Sequence, residues 1–275
     1  MVEVKLLDVE FEVGNFVGNG NLNCFHSPHM KWYRGDEERP VCIFTDRMLN
    51  RVDSVNADVK IAWLLEPKAM AAHNYEFVRK YHHKFDYIIT YEDWVEDFGD
   101  KVINIMFGGC WIDRDECYLY PKTKNVSIIA SSKTWTVGHR LRHEVISDHR
   151  SKFDAVYGRG HNPIDSKLDG LKDFRYSIVI ENSISEYYIT EKIMDCFVTG
   201  TIPIYWGSPR LGEFFDERGI IRFNSSEELG ELLETLSEED YNSRYEFVKK
   251  NYIESFNYVH TENIIYSELS RRNVL

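Results

Sequence analysis

The sequence predicts an α/β fold of two Rossmann-like domains facing a central cleft. Three observations carry that expectation. Short apolar runs ending in acidic residues or glycine pairs are interleaved with a helical pattern through the first half, as in parallel sheets covered by helices. A polar stretch with a proline, Tyr118 to Asn125, breaks the rhythm, and strands and helices then start again. The segment Tyr176 to Ile180, "YSIVI", is too continuously apolar for a strand with one wet face, so it reads as a central strand of a parallel sheet. The expected boundaries are residues 1–120 for the first domain and 121–275 for the second.

In chain order, "VEVKLLDVEF", "VCIFTD", "VKIAWLLE", "FDYIITYE" and "VINIMFGG" read as strands of the first half. "AMAAHNYEFVRKYHHK" reads as a helix between them. Beyond the break come the strand "VSIIASS", a helical "HRLRHEVISDH", then "FDAVYGRG", the central strand and "IIRF". From about Ser225 the tail is helical in pattern, spacing its apolar residues at three and four.

Composition narrows the function classes. Apolar residues make up 43% and charged residues 28%, the balance of a globular protein. A net charge of −12 argues against a nucleic-acid backbone as the main partner, so any anion site must be a local basic pocket. The five cysteines are widely spaced without a C-x-x-C pair, which suggests neither a disulfide framework nor a zinc site and fits reduced thiols. No run approaches the roughly 18 apolar residues of a membrane span, and the first residues are too charged for a signal peptide. The expectation is a soluble, cytoplasmic chain, or one trimmed of its anchor.

The chemistry concentrates between Ile178 and Pro209. In open α/β sheets ligands sit outside the carboxyl ends of the strands, where Glu181, Asn182 and Ser183 fall. Thr190 is placed to cap a helix whose apolar residues Ile193, Met194, Phe197 and Val198 share one face, and Gly200 ends it. "TIPIYWG" returns as the next strand, completing a βαβ unit. Lys192 would add a full charge beside the free N–H groups at the helix start, suiting a phosphate, while Glu191 suits hydroxyls such as those of a ribose. On spacing alone, an N-cap with a solvated first turn fits the same residues.

The stretch resembles the signature of the α-1,3-fucosyltransferases, E-N-S followed after a short spacer by Y-[VI]-T-E-K. Glu181, Asn182, Ser183, Tyr188, Ile189, Thr190, Glu191 and Lys192 meet it, and "TIPIYWGSP" follows. The resemblance is strong from Arg140 to Pro209 and faint before. It implies a GT-B fold and an inverting transfer of L-fucose from GDP-fucose to a glycan hydroxyl, without a metal or other cofactor. By the same implication Asn182, Tyr188, Glu191 and Lys192 line the donor site, with Glu181 beside them. Ile180 departs from the aromatic residue many members carry before E-N-S. Arg140 and Arg142 in "HRLRHEV" correspond to an arginine-rich turn of the family, with Arg140 the better candidate for the diphosphate; on spacing they also fit a solvated helix face. The resemblance implies an acceptor-binding first domain, a donor-binding second, and a last helix that crosses back to the first domain.

Inversion needs a base for the acceptor hydroxyl, and Glu66, at the end of "VKIAWLLEP", matches the strand-end glutamate of the family; a surface carboxylate is the plain alternative. "FHSPHMKWYRG" offers Trp32 and Tyr33 as acceptor-stacking aromatics on a loop, or as packing anchors. Asp113, Arg114 and Asp115 imitate a metal-binding D-x-D but fit a solvated loop better. His82 and His83 lack a further ligand pattern, and "GRG" after "FDAVY" is half a dinucleotide fingerprint without its helix. Two other readings stay open: the same fold with another donor such as UDP-xylose, or a nucleotide- or carbohydrate-binding protein without catalysis.

Overall fold

The computed structural model describes residues 1–9, 26–92 and 98–275; Cys24 and the end of the first expected strand lie outside them. Two parallel sheets form the frame. The first joins β1 (Val2–Leu7), β2 (Met30–Tyr33), β3 (Val41–Thr45), β4 (Val59–Trp63), β5 (Tyr87–Thr90) and β6 (Val102–Asn104), in the order β2-β1-β3-β4-β5-β6, with α1 (Lys68–Tyr81) between β4 and β5. The second begins with β7 (Lys124–Ile129), α2 (Val137–His149), β8 (Ala155–Tyr157), β9 (Phe174–Ile180), α3 (Glu191–Phe197), β10 (Ile202–Trp206) and β11 (Ile221–Arg222). Its order is β11-β10-β9-β7-β8, which puts β9 in the middle, between β10 and β7. The tail forms α4 (Ser226–Leu233), α5 (Glu238–Ser255) and α6 (Thr261–Arg271).

Each sheet is covered on both faces, which explains the unbroken apolar runs. In the second, Leu141 and Val145 of α2, Leu229 of α4 and Val248 of α5 share one core with Ile178 and Ile180. Ile193, Met194 and Phe197 of α3 share the opposite core with Val179. On the first sheet, Tyr75 and Val78 of α1 pack with Phe44 and Ile88. Its other face holds Val4, Trp32, Trp63 and Ile89, and this face is closed by Ile265 and Leu269 of α6. The C-terminal helix thus lies on the sheet built from the other end of the chain.

One expectation is corrected here. Trp32 is not on a loop: it is the third residue of β2, 1% exposed, and its indole N–H donates to Glu262 of α6 at 2.9 Å. Tyr33, the last residue of that edge strand, has the Arg39 guanidinium 3.7 Å above its ring. β-Strand alternation buries one neighbour and leaves the other at the edge, so the pair does not form a stacking platform.

Candidate active site

β9 runs into Glu181, which is completely buried. Its carboxylate accepts the Thr190 N–H at 2.9 Å and the Thr190 hydroxyl at 2.8 Å, and Lys192 Nζ lies 3.2 Å away. A strand end and the following helix cap are thereby tied by one carboxylate. This corrects the donor-contact expectation for Glu181: its oxygens are spent inside the protein and it lines neither of the cavities described below. Thr190 caps α3, and its hydroxyl also takes Lys192 Nζ at 2.9 Å. Lys192 in turn lies 3.3 Å from Glu191.

Asn182 is the hub beside this clamp. Its Oδ1 accepts Arg142 Nη2 at 3.0 Å, and its Nδ2 donates to the Tyr188 hydroxyl at 3.2 Å and approaches Met70 Sδ of α1 at 3.4 Å. The Tyr188 ring packs 4.6 Å from Tyr91, and burial raises its phenol well above the usual range. Arg142, 6% exposed, also donates from Nε and Nη2 to the Ile180 carbonyl at the end of β9. Arg140, one half-turn away on α2, is exposed, and among the described residues its side chain reaches only the Thr134 carbonyl, at 3.4 Å. The two arginines therefore exchange rank: Arg142 faces the site and Arg140 does not.

Sequence reasoning passed over a second layer. Lys167, from the turn before β9, lies 2.8 Å from Asp195 and 3.4 Å from Glu191. The other Asp195 oxygen accepts the Trp111 backbone N–H at 2.7 Å. Burial alone would raise the Glu191 carboxyl, but Lys192 and Lys167 outweigh it and hold it at about 2. Burial raises Asp195 despite Lys167. The buried charges are paired and hydrogen-bonded, which is the condition for keeping them charged. Nothing in the spacing of Lys167 announced it; only the "TEKIMD" helix brings Glu191 and Asp195, four residues apart, onto one face toward it.

Two adjoining cavities result. The larger, about 360 Å³, lies at the carboxyl ends of β7, β8 and β9 and is lined among others by Arg142, Arg159, Lys167, Asn182, Glu191 and Asp195. The "GRG" stretch thus contributes Gly158 and Arg159 to its wall. The second, about 320 Å³, contains Glu66, Phe107 and Trp111 from the first part of the chain with Asn182, Tyr188 and Glu191 from the second. Lys133, Asn182, Glu191 and Lys192 line both. Five cations and three carboxylates line the pair, a local excess of positive charge in a chain of net charge −12.

Glu66 is held by its backbone: its N–H donates to Asp46 Oδ2 at 3.2 Å and its carbonyl accepts the Tyr75 hydroxyl at 2.9 Å. Between the lining residues Phe107 and Gly109 the chain turns at Gly108, at φ +65°, where a Cβ would meet the Tyr258 carbonyl at 2.4 Å. Gly108 N–H donates to the Ile189 carbonyl at 2.9 Å, joining the two halves beside the cavity. Asp113, Arg114 and Asp115 sit at a short 3-10 turn outside both cavities. Among the described residues no group of three His, Cys, Asp or Glu could hold a metal ion.

The C-terminal model of glycosyltransferase family 10 (fucosyltransferase) matches residues 119–269, more than half of the chain. The chain belongs to this family. The family 10 match starts just before β7 and runs through the clamp and α3 into the last turn of α6. A curated relative, the α-(1,3)-fucosyltransferase FucT of Helicobacter pylori, is 31% identical over 75 residues, 27% of this chain and 16% of the relative. The GDP-fucose protein O-fucosyltransferase 3 of Gallus gallus is 30% identical over 74 residues, 26% of this chain and 16% of its own length. The matched stretch thus spans about a sixth of either relative. A solved α1,3-fucosyltransferase with GDP superposes with a TM-score of 0.54 at 15% identity, covering 87% of this chain and 80% of that one, and shares the fold. The family 10 chain is thus a GT-B protein with two Rossmann-like domains.

Proposed function

We propose that this family 10 chain transfers L-fucose from GDP-fucose to a hydroxyl of a glycan acceptor with inversion. The observation that carries the reading is the cavity shared by Glu66 with Asn182, Tyr188, Glu191 and Lys192, opening onto a larger basic cavity at the strand ends. The larger cavity takes the nucleotide and the smaller one the sugar and acceptor. In the reaction the bond from the sugar's C1 to the diphosphate oxygen breaks, and its electron pair leaves with the diphosphate. The acceptor oxygen attacks C1 from the opposite face while its proton passes to the Glu66 carboxylate. Lys192 and Arg142 stabilise the growing negative charge, more effectively in a site shielded from water. Glu191, held ionised, accepts hydrogen bonds from the ribose hydroxyls. The names of the relatives, one of them a GDP-fucose enzyme, support the choice of donor.

Calorimetric titration with GDP and UDP, followed by product analysis with GDP-fucose and a panel of oligosaccharides, tests this. Tighter binding of GDP and fucosylated product are expected. Glu66→Gln should keep GDP binding and lose transfer by roughly 10²- to 10⁴-fold. Preference for UDP, or near-full transfer by Glu66→Gln, would overturn the donor or the base respectively.

A further inference from the structure

The cations around the two cavities are not equally available. Lys192 Nζ lies within 3.3 Å of Glu181, Glu191 and the Thr190 hydroxyl. Lys167 is shared between Asp195 and Glu191. Arg142 spends its fork on the Ile180 carbonyl and Asn182. Lys133 differs. It is exposed on the connection between β7 and α2, and among the described residues its ammonium pairs with no carboxylate. It sits instead 4.9 Å from the ring centroid of Trp135, which is itself 68% exposed. A solvent-exposed cation–π contact is worth only about 0.5–1 kcal/mol, less than a charge-assisted hydrogen bond to phosphate. Lys133 also lines both cavities, so it stands where the nucleotide's last phosphate would meet the sugar. Arg159, likewise exposed, lines the larger cavity alone and lies away from that junction.

We infer that Lys133 is a further catalytic cation: resting on Trp135 in this structure, it swings onto the terminal phosphate of a bound nucleoside diphosphate and neutralises it as the sugar departs. The proposal rests on the nucleotide reading above. It assigns Lys133 to the terminal phosphate, leaving base and ribose to other groups. The backbone around it is held: its N–H donates to the Ser131 hydroxyl at 3.4 Å, and its carbonyl meets a ring nitrogen of His143 at 3.0 Å. Only the side chain has to move.

The test compares GDP with GMP, which lacks the terminal phosphate, by calorimetry on the wild-type chain, Lys133→Gln, Lys133→Arg and Trp135→Phe. Lys133→Gln should lower the GDP-to-GMP affinity ratio about tenfold or more, and Lys133→Arg should recover most of it. Tryptophan emission should change when GDP binds the wild-type chain, and that change should shrink in Trp135→Phe while GDP affinity holds. A Lys133→Gln chain with the wild-type ratio, or one that loses GDP and GMP equally, overturns the role of Lys133 alone. A wild-type chain that binds neither nucleotide overturns the nucleotide reading, and this proposal with it.

Discussion

Two arginines two residues apart on α2 illustrate how much a side chain's direction decides. Arg142 threads between the end of β9 and Asn182, so its removal leaves the Ile180 carbonyl and the Asn182 amide oxygen without their donor. Arg142→Met is expected to cost about 1–3 kcal/mol of stability, the penalty of unsatisfied buried polar groups, and to weaken GDP binding at least tenfold. Arg140→Ala should change either quantity by no more than about 0.5 kcal/mol, as exposed positions do. Urea midpoints and calorimetric titration of the two variants check the contrast. Equal losses would restore Arg140 as a site residue.

At the scale of elements, the decisive contact is the start of α2 against the end of β9. Gly138 allows it, since a Cβ there would fall 1.7 Å from the Glu181 carbonyl oxygen. The same turn is closed by a capping box, in which the Thr136 hydroxyl accepts the His139 N–H at 3.2 Å and the His139 Nδ1 accepts the Thr136 N–H at 3.3 Å. A protonated ring has no acceptor for that bond. Burial first, then the positive charges of Arg142, Lys133 and Lys192, push the His139 pKa down from 6.5 to about 4. Between pH 6.5 and about 4 the unfolded chain therefore binds a proton that the folded chain refuses, and stability falls as pH falls through that window. Above about 6.5 the imidazole is neutral in both states and contributes no slope. His139→Gln keeps an N3 acceptor without titrating, so urea midpoints from pH 7 to 4.5 should fall less steeply in the variant. Parallel curves would remove His139 as the cause.

At the scale of the molecule, the two halves are stitched beside the site rather than merely juxtaposed. Tyr187 N–H and the Ser185 hydroxyl both donate to the Tyr91 carbonyl, at 3.1 and 2.9 Å, and Gly109 N–H donates to the Tyr258 carbonyl. α6 completes the connection by covering the first sheet, where the Leu269 side chain is fully buried. Leu269→Ala should cost about 2–5 kcal/mol, the range for a buried leucine truncated in a core. Its GDP affinity should stay at the wild-type value, because α6 lines neither cavity. Chemical denaturation beside nucleotide titration separates the two effects; a stability change below about 1 kcal/mol would mean that α6 is dispensable to the first sheet.

What local chemistry dictates could be read directly from the residues. The apolar run before Glu181, the Thr190 cap and the return strand all rest on contacts within a few dozen residues, and the family signature lies in the same stretch. The place of Glu66 in the wall of the second cavity was legible for a similar reason, as a carboxylate just past a strand and followed by proline, near where ligands approach a parallel sheet. β2 was not legible, because four residues between turn-like neighbours carry too little alternation, and Trp32 then looked like a loop aromatic instead of a core one. Tertiary structure alone decided which cations face the cavities, that Lys167 grips Glu191 and Asp195, and that Glu181 turns inward. Those outcomes depend on chain segments far apart in sequence meeting at one place, and a side chain's partners across such distances leave no periodicity to read.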